Sequence, residues 1–180
     1  MLHGASIGVY THPKTSPETW DTIGKFADET PPFLELMKKW LAISPEIKRL
    51  AFGAVLISSV SERDEGYQKI SGYLPFNVDL EARNFAYQIN RRRKSRLDIS
   101  GLEINRLSKW ACMERRTTQF MVGETTTVND DSPSLFAARL EVDINTVPEY
   151  PSLLAPDSLA DLFSECLDLG TEIAEKGDIP

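Results

Sequence analysis

The sequence predicts an α+β domain: a largely antiparallel sheet of about five to seven strands, with helices packed mainly on one face. Three observations carry this. In residues 136–145, Phe136, Ala138, Leu140, Val142 and Ile144 alternate with Ala137, Arg139, Glu141, Asp143 and Asn145, the period of two of a half-buried strand. In residues 156–176, Leu159, Leu162, Phe163, Cys166, Leu167, Gly170 and Ile173 recur at helical spacing on one face, and Asp161, Glu165, Asp168, Glu172 and Glu175 line the other. Between residues 85 and 120, strand-like segments follow one another with turns and no helix between them, which favours antiparallel pairing.

The remaining elements follow in chain order. Ala5–Thr11 alternates and reads as a first strand. Ser16-Pro17 and Thr30-Pro31 each place a capping residue before proline at a first helical position, where the missing N–H costs nothing. Trp20, Ile23 and Phe26, then Phe33, Leu34, Met37, Trp40 and Leu41, make apolar stripes, so residues 16–43 are expected to be helical and broken at Pro31. Leu50–Ile57 is apolar on both faces, as an interior strand would be. Ser61 opens a short helix over 61–73 that Pro75 closes. Residues 85–90 alternate as a strand, and Leu102–Phe120 is one long bent strand or two. Gly177 stands where a helix-ending glycine belongs. The expected core includes Phe52, Leu56, Tyr87, Ile89, Leu140, Val142, Leu162, Phe163 and Leu167.

Length and composition agree with one globular α+β domain over residues 1–180. Of 180 residues, 41% are hydrophobic and 26% charged, too apolar and too balanced for a disordered chain. Two cysteines make no disulfide framework, so a reducing, cytoplasmic setting is expected. No signal peptide is read at the start and no apolar run approaches a membrane-spanning length. The net charge of −7 is unevenly distributed: residues 83–118 hold ten Lys/Arg against three Asp/Glu, whereas residues 119–180 hold two against thirteen.

Catalytic chemistry has little to stand on. His3 and His12 are the only histidines, no Gly-rich phosphate loop occurs, and no Ser-centred elbow is present. No catalytic residue, metal ligand or cofactor is therefore assigned. Glu141 and Asp143 share one face of a strand and are the pair that a divalent ion would use if the chain were a metal-dependent enzyme. The alternative for them is pairing with basic groups on neighbouring strands, such as Arg106, or plain solvation.

The unusual feature is the basic run Arg91-Arg92-Arg93-Lys94-Ser95-Arg96, with Arg106 nearby. Arginines bind phosphates bidentately, and Phe85, Tyr87 and Trp110 stand close enough in sequence to stack on bases, which is the nucleic-acid reading. An acidic protein partner or self-association is the second reading. The third is a solvated or internally paired surface. The run is a functional clue only if it points away from Glu141, Asp143 and the last helix. One short motif also recurs: Ile89-Asn90-Arg91, Ile104-Asn105-Arg106 and Ile144-Asn145, each at an expected strand.

Glu46–Leu56, Tyr87–Arg91, Ile104–Trp110 and Leu140–Asn145, followed by an acidic C-terminal helix, together resemble a bacterial protein family of unknown function and patchy distribution. The likeness runs from about Glu46 onward, and its motifs are structural in character. It implies no activity and no site residues. The distribution of that family implies a role in a mobile or defence system. The expectation is thus a non-enzymatic binding or assembly protein without cofactor. It would act through Arg91, Arg92, Arg93, Lys94, Arg96 and Arg106, on a protein partner or on itself, with nucleic acid as the alternative.

Overall fold

A computed structural model describes residues 20–116, 119–121, 127–129 and 134–178. The expected first strand at 5–11, both histidines, the Ser16-Pro17 cap and the loop at 129–133, apart from Asn129, lie outside these. Three helices, α1 (Phe26–Leu41), α2 (Arg63–Ser71) and α3 (Pro156–Lys176), pack on one face of a five-stranded antiparallel sheet. Its strands are β1 (Ala51–Val60), β2 (Ala86–Asn90), β3 (Arg93–Lys94), β4 (Glu103–Arg115) and β7 (Leu135–Thr146). They run in the order β1-β7-β4-β2, with β3 also paired to β4, while β5 (Gln119–Met121) and β6 (Thr127–Asn129) form a separate ribbon.

Register explains the layering. Phe52, Leu56, Leu140, Val142, Ile144, Ile104, Ser108 and Trp110 fall on one face because Phe52 opposes Ile144, Leu56 opposes Leu140, and Leu140 opposes Trp110. That face meets α3, whose Leu159, Leu162, Phe163, Cys166, Leu169 and Ile173 are buried. Phe33, Phe52 and Phe163 join helix α1, strand β1 and helix α3, with ring centroids 5.9–6.4 Å apart. Gly170 allows the close approach: a Cβ there would lie 2.7 Å from the Phe52 ring. Of the expected core, Phe52, Leu140, Val142, Leu162, Phe163 and Leu167 are buried, and Leu56, Tyr87 and Ile89 are partly buried.

Two expectations are corrected. The helical segment does not break at Pro31: α1 starts at Phe26 and continues through Pro31 and Pro32. Proline removes two N–H donors there, but Phe26 before it and Leu34, Met37 and Leu41 after it pack on the same core, and that burial holds one axis. Second, among the described residues β1 stands at the edge of the sheet, not in its interior. Its second apolar side is uncovered, leaving Val55 53% exposed.

Candidate functional site

The basic segment begins at the end of β2 and crosses the C-terminal half of α3 as a strap. β3 pins it, with Arg93 opposite Ile104 and Lys94 opposite Glu103. From there each arginine finds a carboxylate. Arg93 lies 3.2 Å from Glu172, Arg96 lies 3.6 Å from Asp168, and Arg92 lies 3.0 Å from Glu149. Arg91 donates to the Asp178 carbonyl at 3.0 Å, with the Asp178 carboxylate 4.0 Å away. Lys94 is exposed and has no ion pair among the described residues. The sign change along the chain is thus answered largely within the fold, with the strap lying against the last helix.

Arg106 does not reach Glu141 or Asp143. It shares the inward face of β4 with Ile104, Ser108 and Trp110, is 7% exposed, and pairs with Glu172 at 3.2 Å. Its Nε has no hydrogen-bond partner among the described residues. Burial first, and then the nearby Arg93, lower this guanidinium from its ordinary value, while Glu172 and Asp178 act the other way. Beneath it, the Asp178 carboxylate accepts from the Trp110 indole N–H at 2.8 Å and from the Ser108 hydroxyl. Glu165 accepts from the Ser95 hydroxyl and the Arg96 backbone N–H, both at 2.7 Å.

Glu165 and Asp178, each 5% exposed, are the residues that sequence reasoning missed. Glu165 reads as one of the outer acids of an amphipathic helix, and only the strap lying over α3 buries it. No periodic signal reveals that.

On the opposite sheet face, the recurring Ile-Asn motif acquires a physical meaning. Ile104 and Ile144 are fully buried, which turns the following Asn105 and Asn145 outward as direct neighbours. Asn90 donates to Asn105 at 2.9 Å, Asn105 donates to Asn145 at 3.0 Å, and Asn145 donates to Asp143 at 2.8 Å. Arg92 and Arg49 cover this ladder, donating to Asn105 at 3.1 Å and to Asn145 at 2.9 Å. The motif is a cross-strand polar clamp that fixes register.

Glu141 and Asp143 do share this face, as their spacing predicts. Glu141 is held by Arg139 of its own strand at 2.7 Å, and Asp143 is engaged by Asn145. Among the described residues no three His, Cys, Asp or Glu side chains gather as a metal site would need. A cavity of about 290 Å³ opens between α2 and the sheet, floored by Leu56, Leu140 and the stacked Tyr73–Trp110 pair, with Lys69 hydrogen-bonded to Ser58 at its rim. Apart from that Ser58–Lys69 pair, the lining holds no carboxylate, imidazole or thiol among the described residues.

Helix α1 presents a different surface. Its apolar residues span about half of its circumference. Phe26, Leu34, Met37 and Leu41 take the half that meets the core. Leu36 and Trp40, followed by Ile43 just past the helix, stand 57%, 44% and 83% exposed on the other. No family model and no curated protein matches the chain. No helix among the described residues is long and apolar enough to cross a membrane.

Proposed function

We propose that the chain is a non-enzymatic binding or assembly protein that docks a protein partner on the uncovered apolar side of α1. The observation that carries the reading is the exposure of Leu36, Trp40 and Ile43 on one stripe. A single exposed leucine is ordinary, but a contiguous stripe centred on tryptophan is the composition of an interface core. Ion pairing by the strap arginines favours this surface over the basic run, because a charge already matched within the fold has less to offer a phosphate backbone. The two free thiols suit a cytoplasmic setting, and the family resemblance adds a role in a mobile or defence system.

The test is affinity capture from the native host with the full chain and with a Leu36→Ser/Trp40→Ser variant. The side chains are half-exposed, so the double change is expected to cost less than about 1 kcal/mol of stability while abolishing capture of the partner that the native chain retains. A variant that keeps the partner overturns the reading.

A further inference from the structure

We infer that the cavity between α2 and the sheet is a binding site for a small monocarboxylate with a compact apolar body, its carboxylate held by Lys69 and Ser58. This concerns a different surface from α1 and does not rest on the reading above.

The two polar groups stand out against the elements that carry them. Side chains alternate along a strand, so Phe52, Ala54, Leu56, Ser58 and Val60 of β1 turn to the helix side of the sheet, with Phe52 opposite Ile144 and Leu56 opposite Leu140. Ser58 is the one polar side chain in that row. It stands opposite Ala138 of β7, and Lys69 reaches it from α2. Arg139 also borders the cavity, but it belongs to the outward row of β7 and its guanidinium is bonded to Glu141. Lys69 is therefore the cation that meets this space.

The bonding at the rim leaves donors on offer. The Lys69 ammonium donates to the Ser58 hydroxyl oxygen. An ammonium carries three N–H groups and a hydroxyl keeps its own proton. Two ammonium N–H groups and the Ser58 O–H thus remain, and Lys69 makes no ion pair among the described residues. Glu65, one turn earlier on α2, gives its carboxylate to the Ser61 hydroxyl and N–H. Such a donor set suits a carboxylate, whose two oxygens only accept. An amine would meet a cation there and no acid, because no carboxylate is in the lining.

The walls fix the rest of the ligand. Leu56, Leu140, Ala138 and Ala174 present apolar side chains, and the Tyr73 and Trp110 rings stack with centroids 5.3 Å apart. The Trp110 indole N–H is already spent on Asp178. Apolar walls with a few converging polar groups are the make-up of a small-molecule site. A volume of about 290 Å³ is at the small end of such sites and suits a medium-chain fatty acid or an arylacetic acid, not a long-chain lipid.

The test is calorimetric titration of the full chain with octanoate to about 1 mM, beside octanol and octylamine. Octanoate is expected to bind at one saturable site, with octanol and octylamine at least about tenfold weaker, as loss of a charged hydrogen bond requires. Lys69→Met, at an exposed position that leaves the fold intact, is expected to remove that preference, weakening octanoate about tenfold and leaving octanol unchanged. Ala174→Leu, which fills the space from the α3 side, is expected to abolish binding of both. A native chain that does not bind octanoate overturns the inference, as does binding that Lys69→Met leaves unchanged. Octanoate binding that survives Ala174→Leu, or that is lost in the Leu36→Ser/Trp40→Ser variant, places the ligand elsewhere and also overturns it.

Discussion

Removing the Asp178 carboxylate should destabilise the protein far more than its place near the end of the chain suggests. The side chain is 5% exposed and accepts from two buried donors, the Trp110 indole N–H and the Ser108 hydroxyl. Trp110 is 4% exposed and Ser108 1%, so neither reaches solvent when the acceptor is deleted. A buried donor left unpaired costs about 1–3 kcal/mol, and Arg91 loses its nearest carboxylate as well. The hydroxyl can turn elsewhere, so the indole and the arginine dominate. Asp178→Ala is expected to cost roughly 3–5 kcal/mol, the range for breaking a buried charged contact.

Asp178→Asn keeps one acceptor oxygen and should cost roughly half as much. Glu175→Ala, at an exposed position near the end of α3, should stay within about 0.5 kcal/mol of the native chain. The assay is urea unfolding with unchanged m-values, joined to a double-mutant cycle with Trp110→Phe. An Asp178→Ala chain as stable as the Glu175→Ala control would refute the reasoning, as would strict additivity with Trp110→Phe.

Cys166 should resist alkylation in the folded protein at pH 8 and react only as urea unfolds the chain, whereas the half-buried Cys112 reacts earlier. Burial first, and then the neighbouring Glu165, push the Cys166 thiol up to about 12 from an ordinary value of 9.0. The folded value is the higher one, so the stability it contributes is whole below about pH 9 and is lost as the pH rises towards 12. Equal labelling of both thiols in the native state would contradict this. Gly170→Ala, which in an open helix would stabilise, should lower the melting temperature here, because its Cβ would lie 2.7 Å from the Phe52 ring. Overpacking of about 1–3 kcal/mol outweighs the roughly 1 kcal/mol gained in helix propensity, and a raised melting temperature would count against the packing described.

Where one periodicity governed a segment, sequence and structure agree. The strand read at 136–145 is β7, and the helix read at 156–176 has those limits in α3. Each has a single buried face, and a single face leaves a regular trace. The failures share a cause in contacts made at long range. Pro31 stops a helix only if nothing else holds its axis, and the packing on either side does so. The apolar second side of β1 resembles the second face of an interior strand, because composition records that a surface is apolar and not what covers it. Glu165 escaped notice because an acid on the outer side of a helix looks the same whether water or a distant strand lies over it. The Ile-Asn recurrence was visible, but its meaning needed the register that brings Asn90, Asn105 and Asn145 side by side.

The same distinction decides where a partner should be sought. The basic run was the most conspicuous feature of the sequence, yet charge is the property a fold can most readily match from within. Arg91, Arg92, Arg93 and Arg96 each meet a carboxylate, and Arg106 is buried against Glu172. Substituting them should therefore act through the seat of α3, as a loss of stability, before it acts on any ligand. The apolar stripe of α1 has no such internal answer among the described residues: Leu36 and Trp40 stand exposed. Exposed apolar surface gains free energy only when something else covers it. The surface that the fold leaves unmatched, more than the one the sequence makes conspicuous, points to the partner.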